Sequence, residues 1–121
     1  MTFCAALTRK NEWVRAVLYE FDSCVFDTEA FELRCDGIVV ETTPQVLSIL
    51  QVLLSAHPNL VSKDHLVETV WNGRAISDAA ITVRMRALRL AIGDNGADQK
   101  LIKTVRGKGY RFAGTVSTKP R

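Results

Sequence analysis

Histidine and cysteine are scarce in this chain, and their scarcity excludes much chemistry. Its 121 residues hold two histidines, His57 and His65, and three cysteines, Cys4, Cys24 and Cys35. His57 precedes Pro58 at a helix end and His65 falls in a helix first turn; neither has a cysteine or carboxylate at metal-ligand spacing. The cysteines are odd in number and fit no zinc pattern. They are expected to be structural or incidental thiols in a reducing cytosol. Neither a metal nor another cofactor is expected. No run of about 18 apolar residues is present, so no transmembrane helix is expected. Met1 to Leu7 is apolar but short, and with no basic segment before it does not read as a secretory signal. Gly107-Lys108-Gly109 lacks the helix that follows a phosphate-binding loop, and no Ser/His/Asp set stands out. The chain therefore does not read as an enzyme, and no residue takes a catalytic role.

What is present is an ordinary globular composition, 47% hydrophobic and 24% charged, on a length that suits one domain. The formal net charge of +3 hides a strong asymmetry. Residues 74–121 carry eleven Lys/Arg against three Asp/Glu, whereas residues 1–73 carry five against ten. The C-terminal part is thus the face for an anionic partner. Glu20, Asp22, Asp27, Glu29, Glu32 and Glu41 lie in or between strands and read as a solvated sheet face or as a docking surface for a partner domain.

Residues 1–16 read as an N-terminal extension, in which Asn11 to Arg15 could begin a short helix. From Val17, short apolar runs are separated by the turn signals Asp22-Ser23, Asp27-Thr28-Glu29 and Asp36-Gly37. That spacing predicts an antiparallel meander of about four strands. Helix signals begin at Thr43-Pro44, a cap followed by a proline suited to the first helical position. Val46, Leu47, Ile49, Leu50, Leu53 and Leu54 supply its apolar face, and Pro58 stops it. Ser62 caps a second helix, closed by Asn72-Gly73, and Ser77 caps a third, which runs from Asp78 to about Ile92.

The third helix is two-sided. Ile81, Met85, Leu88 and Ile92 form one buried stripe; Thr82, Arg86 and Arg89 follow the same spacing on a neighbouring face expected to be exposed. Arg84 lies on the far flank. No acid after Asp78 sits in this helix to pair with the arginines. Residues 102–112 then form two short β-runs around Gly107-Lys108-Gly109, a reversal that needs φ > 0. Arg106 and Lys108 tip this hairpin. Two helices across a short connection, the second basic, followed by a basic hairpin, make a helix-turn-helix with a wing. Such a helix fits the DNA major groove, and such a wing lies along the backbone or in a minor groove. The competing class is a winged helix that serves as a protein–protein interaction module, whose mark would be loss of Arg86, Arg89 and Arg106; this chain keeps all three.

The ordered set Leu33-Arg34-Cys35-Asp36-Gly37, Thr43-Pro44, Val61 to Leu66, Val70-Trp71, Ser77 to Val83, Leu88-Arg89 and Leu101 to Phe112 resembles the OmpR/PhoB-type winged helix DNA-binding domain. The resemblance covers about residues 18–114. It implies an α+β fold: an N-terminal four-stranded antiparallel sheet, three helices and a C-terminal β-hairpin wing. The domain is assigned to residues 17–114, with residues 115–121 as a tail or the start of a linker. The implied function is sequence-specific binding of double-stranded DNA within a bacterial transcriptional regulator, helix 78–92 in the major groove and wing 102–112 at the minor groove. The resemblance implies that Thr82, Val83, Arg86 and Arg89 face base edges. Arg84, the backbone around Trp71, Thr104, Lys108 and Tyr110 meet or support contacts to phosphates, and Arg106 enters the minor groove. Asn72, Gly73 and Arg74 lie in the connection that can touch RNA polymerase. Ala79 and Ala87 depart from the basic residues common in the family, so fewer contacts are expected. No phosphoacceptor domain is expected before the fold, and the layout resembles ToxR/CadC-type regulators, in which a sensor or membrane segment follows. A stand-alone regulator is the alternative. In either case the domain is expected in the cytoplasm, as a monomer in solution and a tandem pair on DNA.

Overall fold

The structure is a computed structural model that describes residues 17–120. Cys4, the segment Asn11 to Arg15 and the remainder of the expected extension lie outside the described residues, as does Arg121. The meander forms as the turn signals require: β1 (Val17–Phe21), β2 (Cys24–Asp27), β3 (Glu32–Cys35) and β4 (Ile38–Val39), each antiparallel to the next. Asp36 and Gly37 both take positive φ, as a two-residue hairpin turn of this kind demands.

Three helices follow, α1 (Pro44–Ala56), α2 (Lys63–Val70) and α3 (Asp78–Ala91). Each is started by the hydroxyl its sequence offers. Thr43 accepts from Val46 N–H at 3.3 Å, Ser62 from His65 N–H at 3.0 Å, and Ser77 from Ala80 N–H at 3.1 Å. A cap of this type contributes about 1 kcal/mol by satisfying an otherwise orphaned donor. Helix α1 is the centre of the core: Ile49, Leu50 and Leu53 are wholly buried.

The chain then forms a second, three-stranded sheet in the order β5-β7-β6 from β5 (Val61–Ser62), β6 (Ile102–Val105) and β7 (Gly109–Phe112). Phe112 on β7 meets Phe21 on β1 edge to face, with centroids 5.0 Å apart, which joins the wing to the N-terminal sheet through the core. Among the described residues no helix is long and apolar enough to cross a membrane.

Two expectations need correction. Residues 116–120 are not a tail: they form β8 (Val116–Pro120), which pairs antiparallel with β1 from Phe21↔Val116 to Val17↔Pro120. The N-terminal sheet therefore has five strands, in the order β4-β3-β2-β1-β8. This polar segment is extended because β1 offers it an open edge, not because of its own apolar pattern. Cys24 and Cys35 are not separate thiols either. They face each other in the β2–β3 register and are joined as a disulfide.

Candidate nucleic-acid interface

The stripe read from the sequence is the buried side of α3: Ile81, Met85, Leu88 and Ile92 are at most 2% exposed. On the opposite side Thr82, Val83 and Arg86 are exposed, Val83 by 53% despite being apolar. Thr82 is anchored, since its hydroxyl donates to the Asp78 carbonyl at 2.9 Å. Arg84 faces away from them toward α1, where its Nε donates to Gln45 Oε1 at 3.0 Å.

Arg89 departs from the expected role. It is 8% exposed and is no surface base reader. At about 100° per residue it sits only about 40° around the helix from Met85, at the border of the buried stripe. Its Nε and Nη2 donate to the Ile102 carbonyl at 3.2 and 3.0 Å, and Nη2 also donates to Thr104 Oγ1 at 2.9 Å. Burial pushes its guanidinium below the usual range, and the carboxylate of Asp94 and the neighbouring Tyr110 oppose that shift.

Strand β6 explains why a buried arginine belongs there. It is the edge of its sheet, so alternate backbone groups point away from β7. Arg89 takes the outward carbonyl of Ile102, Asp94 accepts from the Ile102 N–H at 3.0 Å, and Gln99 Oε1 accepts from the Thr104 N–H at 2.9 Å. Asp94, 3% exposed, also accepts from the N–H groups of Lys100 and Leu101. Burial opposes its ionisation, but the backbone donors of Ile102, Lys100, Leu101 and Asn95 outweigh that and hold the carboxyl below its ordinary value. Helix α3 and the wing are thereby tied at one root.

The wing itself turns at Arg106, Gly107 and Lys108, all exposed, with Lys108 N–H donating to Val105 O at 2.9 Å. Gly107 has φ +75° and Gly109 φ +151°. A Cβ on Gly109 would lie 2.1 Å from the Val61 carbonyl oxygen, so only glycine lets β7 run this close to β5. That approach brings the wing turn over the start of α2. There Ser62, Lys63, Asp64, Gly107 and Lys108 line an open cleft of about 260 Å³. Lys63 was not among the sequence-derived candidates; the pairing Ser62↔Gly109 that places it beside Lys108 is non-local and leaves no local signal.

The remaining candidates divide by burial. Thr104 is exposed and serves as an acceptor for Arg89. Tyr110 and Trp71, 5% and 9% exposed, belong to the core, so their side chains support the surface more than they form it. Asn72, Gly73 and Arg74 are exposed in the turn after α2, where Asn72 and Gly73 take positive φ and Gly73 N–H donates to Val67 O at 2.9 Å. Besides that turn and Thr104, the candidates left exposed are Thr82, Val83 and Arg86 on α3 and Arg106 and Lys108 on the wing.

Residues 37–112 match the family described as "Transcriptional regulatory protein, C terminal". The chain is 38% identical over 96 residues to the transcriptional regulatory protein YvrH of Bacillus subtilis, covering 78% of this chain and 40% of that protein. Its fold is similar to the Klebsiella pneumoniae RstA DNA-binding domain solved in complex with the RstA box, with a TM-score of 0.70 at 26% identity, covering 79% of this chain and 96% of that one. It is also similar to the C-terminal effector domain of BfmR from Acinetobacter baumannii, with a TM-score of 0.67 at 33% identity, covering 81% and 91%. The chain spans less than half the length of the regulatory proteins it matches.

Proposed function

The chain belongs to the family of transcriptional regulatory protein C-terminal domains, with the OmpR/PhoB-type winged helix as its fold, and from that premise we propose that it binds double-stranded DNA sequence-specifically. The observation that carries this reading is the joint exposure of Arg86 on α3 and Arg106 on the wing, two elements tied together through Arg89. In this reading α3 occupies the major groove, with Thr82, Val83 and Arg86 at base edges. Arg106 reaches the minor groove, and Lys108, Lys63 and Arg84 meet phosphates. The exposed turn Asn72-Gly73-Arg74 is the surface for RNA polymerase. The chain is the cytoplasmic DNA-binding part of a longer regulator with a sensor or membrane segment, in keeping with the greater length of its relatives. One α3 and one wing cover few base pairs, so two copies, monomeric in solution, occupy adjacent half-sites about 10–10.5 bp apart.

Selection of bound sites from a random duplex pool, followed by salt titration on the winner, tests this. A repeated motif is expected, with a log–log salt slope rising by about 0.9 per phosphate neutralised. Inserting about 5 bp between half-sites should abolish paired occupancy, because it turns one copy to the opposite side of the duplex. A flat slope, or equal affinity for heparin and every duplex, refutes the reading.

A further inference from the structure

The Cys24–Cys35 disulfide lies away from the exposed face of α3 but touches that helix at its end. The two residues are register partners of β2 and β3, and one step along Asp36 N–H donates to Ser23 O. Cys24 and Cys35 are therefore the non-hydrogen-bonded kind of antiparallel pair, in which side chains come closest. Cys24 Sγ is 4.0 Å from the Ile92 carbonyl oxygen, and Cys35 Sγ is 3.7 Å from that of Ala91. The backbone bonds that close α3 use the carbonyls of Leu88, Arg89 and Leu90, so those of Ala91 and Ile92 are left facing the sulfurs. Two thiols carry an S–H donor each toward these oxygens; a disulfide carries none. Two residues beyond Ile92 stands Asp94, which holds the backbone of residues 100–102 at the root of the wing. Cys24 is 2% exposed whereas Cys35 is half-buried, so a reagent from solution reaches Cys35 first.

We propose that Cys24 and Cys35 are a thiol–disulfide exchange site for low-molecular-weight disulfides, and that its redox state sets how firmly the end of α3 is held. In the oxidising direction the Cys35 thiolate attacks one sulfur of a small disulfide RSSR, forming a mixed disulfide and releasing RS⁻. The Cys24 thiolate then attacks Cys35 Sγ, closing the Cys24–Cys35 bond and releasing the second RS⁻. The two thiol protons end on two RSH, and the small disulfide has been reduced by the two electrons the cysteines lost. The reduced pair caps the last turn of α3 and the oxidised pair does not. That this alters duplex affinity rests on the DNA-binding reading above.

The experiment uses the full chain carrying Cys4→Ser, equilibrated with mixtures of oxidised and reduced glutathione. Alkylation and mass measurement give the thiol count, ¹⁵N NMR follows the amides of Ile92 and Gly93, and anisotropy gives duplex affinity. Expected are one two-electron transition, displaced Ile92 and Gly93 signals, and a reduced form that binds its duplex about two- to fivefold more tightly, the scale of two weak S–H contacts. Adding Cys24→Ser or Cys35→Ser should remove the response. A thiol count that glutathione disulfide does not change overturns the site. Exchange with unmoved Ile92 and Gly93 signals and equal affinities overturns its coupling to α3. If the signals move while neither form binds any duplex, the exchange site stands and the DNA-binding reading is the one that fails.

Discussion

Replacing Arg89 by methionine separates a structural arginine from a reading one. Methionine keeps much of the apolar stem and removes the guanidinium. The protein then loses the donors to the Ile102 carbonyl at 3.2 and 3.0 Å and the bond to Thr104 Oγ1 at 2.9 Å. Ile102 is wholly buried and its outward carbonyl faces away from β7, so no neighbouring strand takes over. A hydrogen bond from a charged donor contributes about 1.5–3 kcal/mol, and a stranded buried acceptor costs about 1–3 kcal/mol. The two overlap, which puts the expected loss at about 2–4 kcal/mol. For a domain of this size that lowers Tm by about 10–25 °C. Urea and thermal unfolding followed by circular dichroism measure it. Arg86→Ala, on the exposed side of the same helix, should change stability by under about 0.5 kcal/mol. If Arg89→Met leaves the unfolding midpoint where it was and instead erases preference among duplexes, the burial argument is wrong and Arg89 reads bases.

Arg86→Ala should weaken binding to the preferred duplex by about 1–3 kcal/mol and relax selectivity, whereas Arg84→Ala should weaken all duplexes about evenly; identical profiles in competition titrations would refute the orientation of α3. Gly109→Ala should cost at least about 2 kcal/mol, because a Cβ there meets the Val61 carbonyl at 2.1 Å and alanine disfavours a φ of +151°; an unchanged urea midpoint would contradict the close approach of β7 to β5. Asp94 has a folded-state pKa below its unfolded value, so its stabilisation is present above about pH 4 and is lost as pH falls through the folded value. Asp94→Asn should therefore flatten acid unfolding in that window, and a variant with the wild-type pH profile would argue against this role.

Local chemistry made most of this fold legible. Thr43, Ser62 and Ser77 announce three helix starts because capping needs only a hydroxyl and the next turn. The α3 stripe is visible because a single period orders it. What escaped depends on partners distant in sequence. The strand from Val116 to Pro120 has no apolar alternation and exists through its pairing with β1. Arg89 shares the spacing of Thr82 and Arg86, yet its position beside Met85 and the open edge of β6 decide its burial. An odd cysteine count concealed a pair that only the β2–β3 register brings together. Tyr110 and the backbone around Trp71 are implied as contacts by the resemblance alone, and packing takes both rings into the core, which leaves Tyr110 a supporting role.

The pairing of β1 with β8 has a mechanical consequence. Val17 stands opposite Pro120, so the segment that enters the fold and the segment that leaves it do so side by side, about one strand spacing apart. Tension applied through both flanks would not shear this ladder but unzip it, loading Val17↔Pro120 first and then Leu18↔Lys119. Only one cross-strand ion pair, Lys119 to Glu20 at 3.2 Å, reinforces that end among the described residues, and it is exposed enough to add little. The strand would therefore peel away at low force while α1, α2, α3 and the wing remained folded, leaving β1 as a bare sheet edge beside an otherwise intact domain.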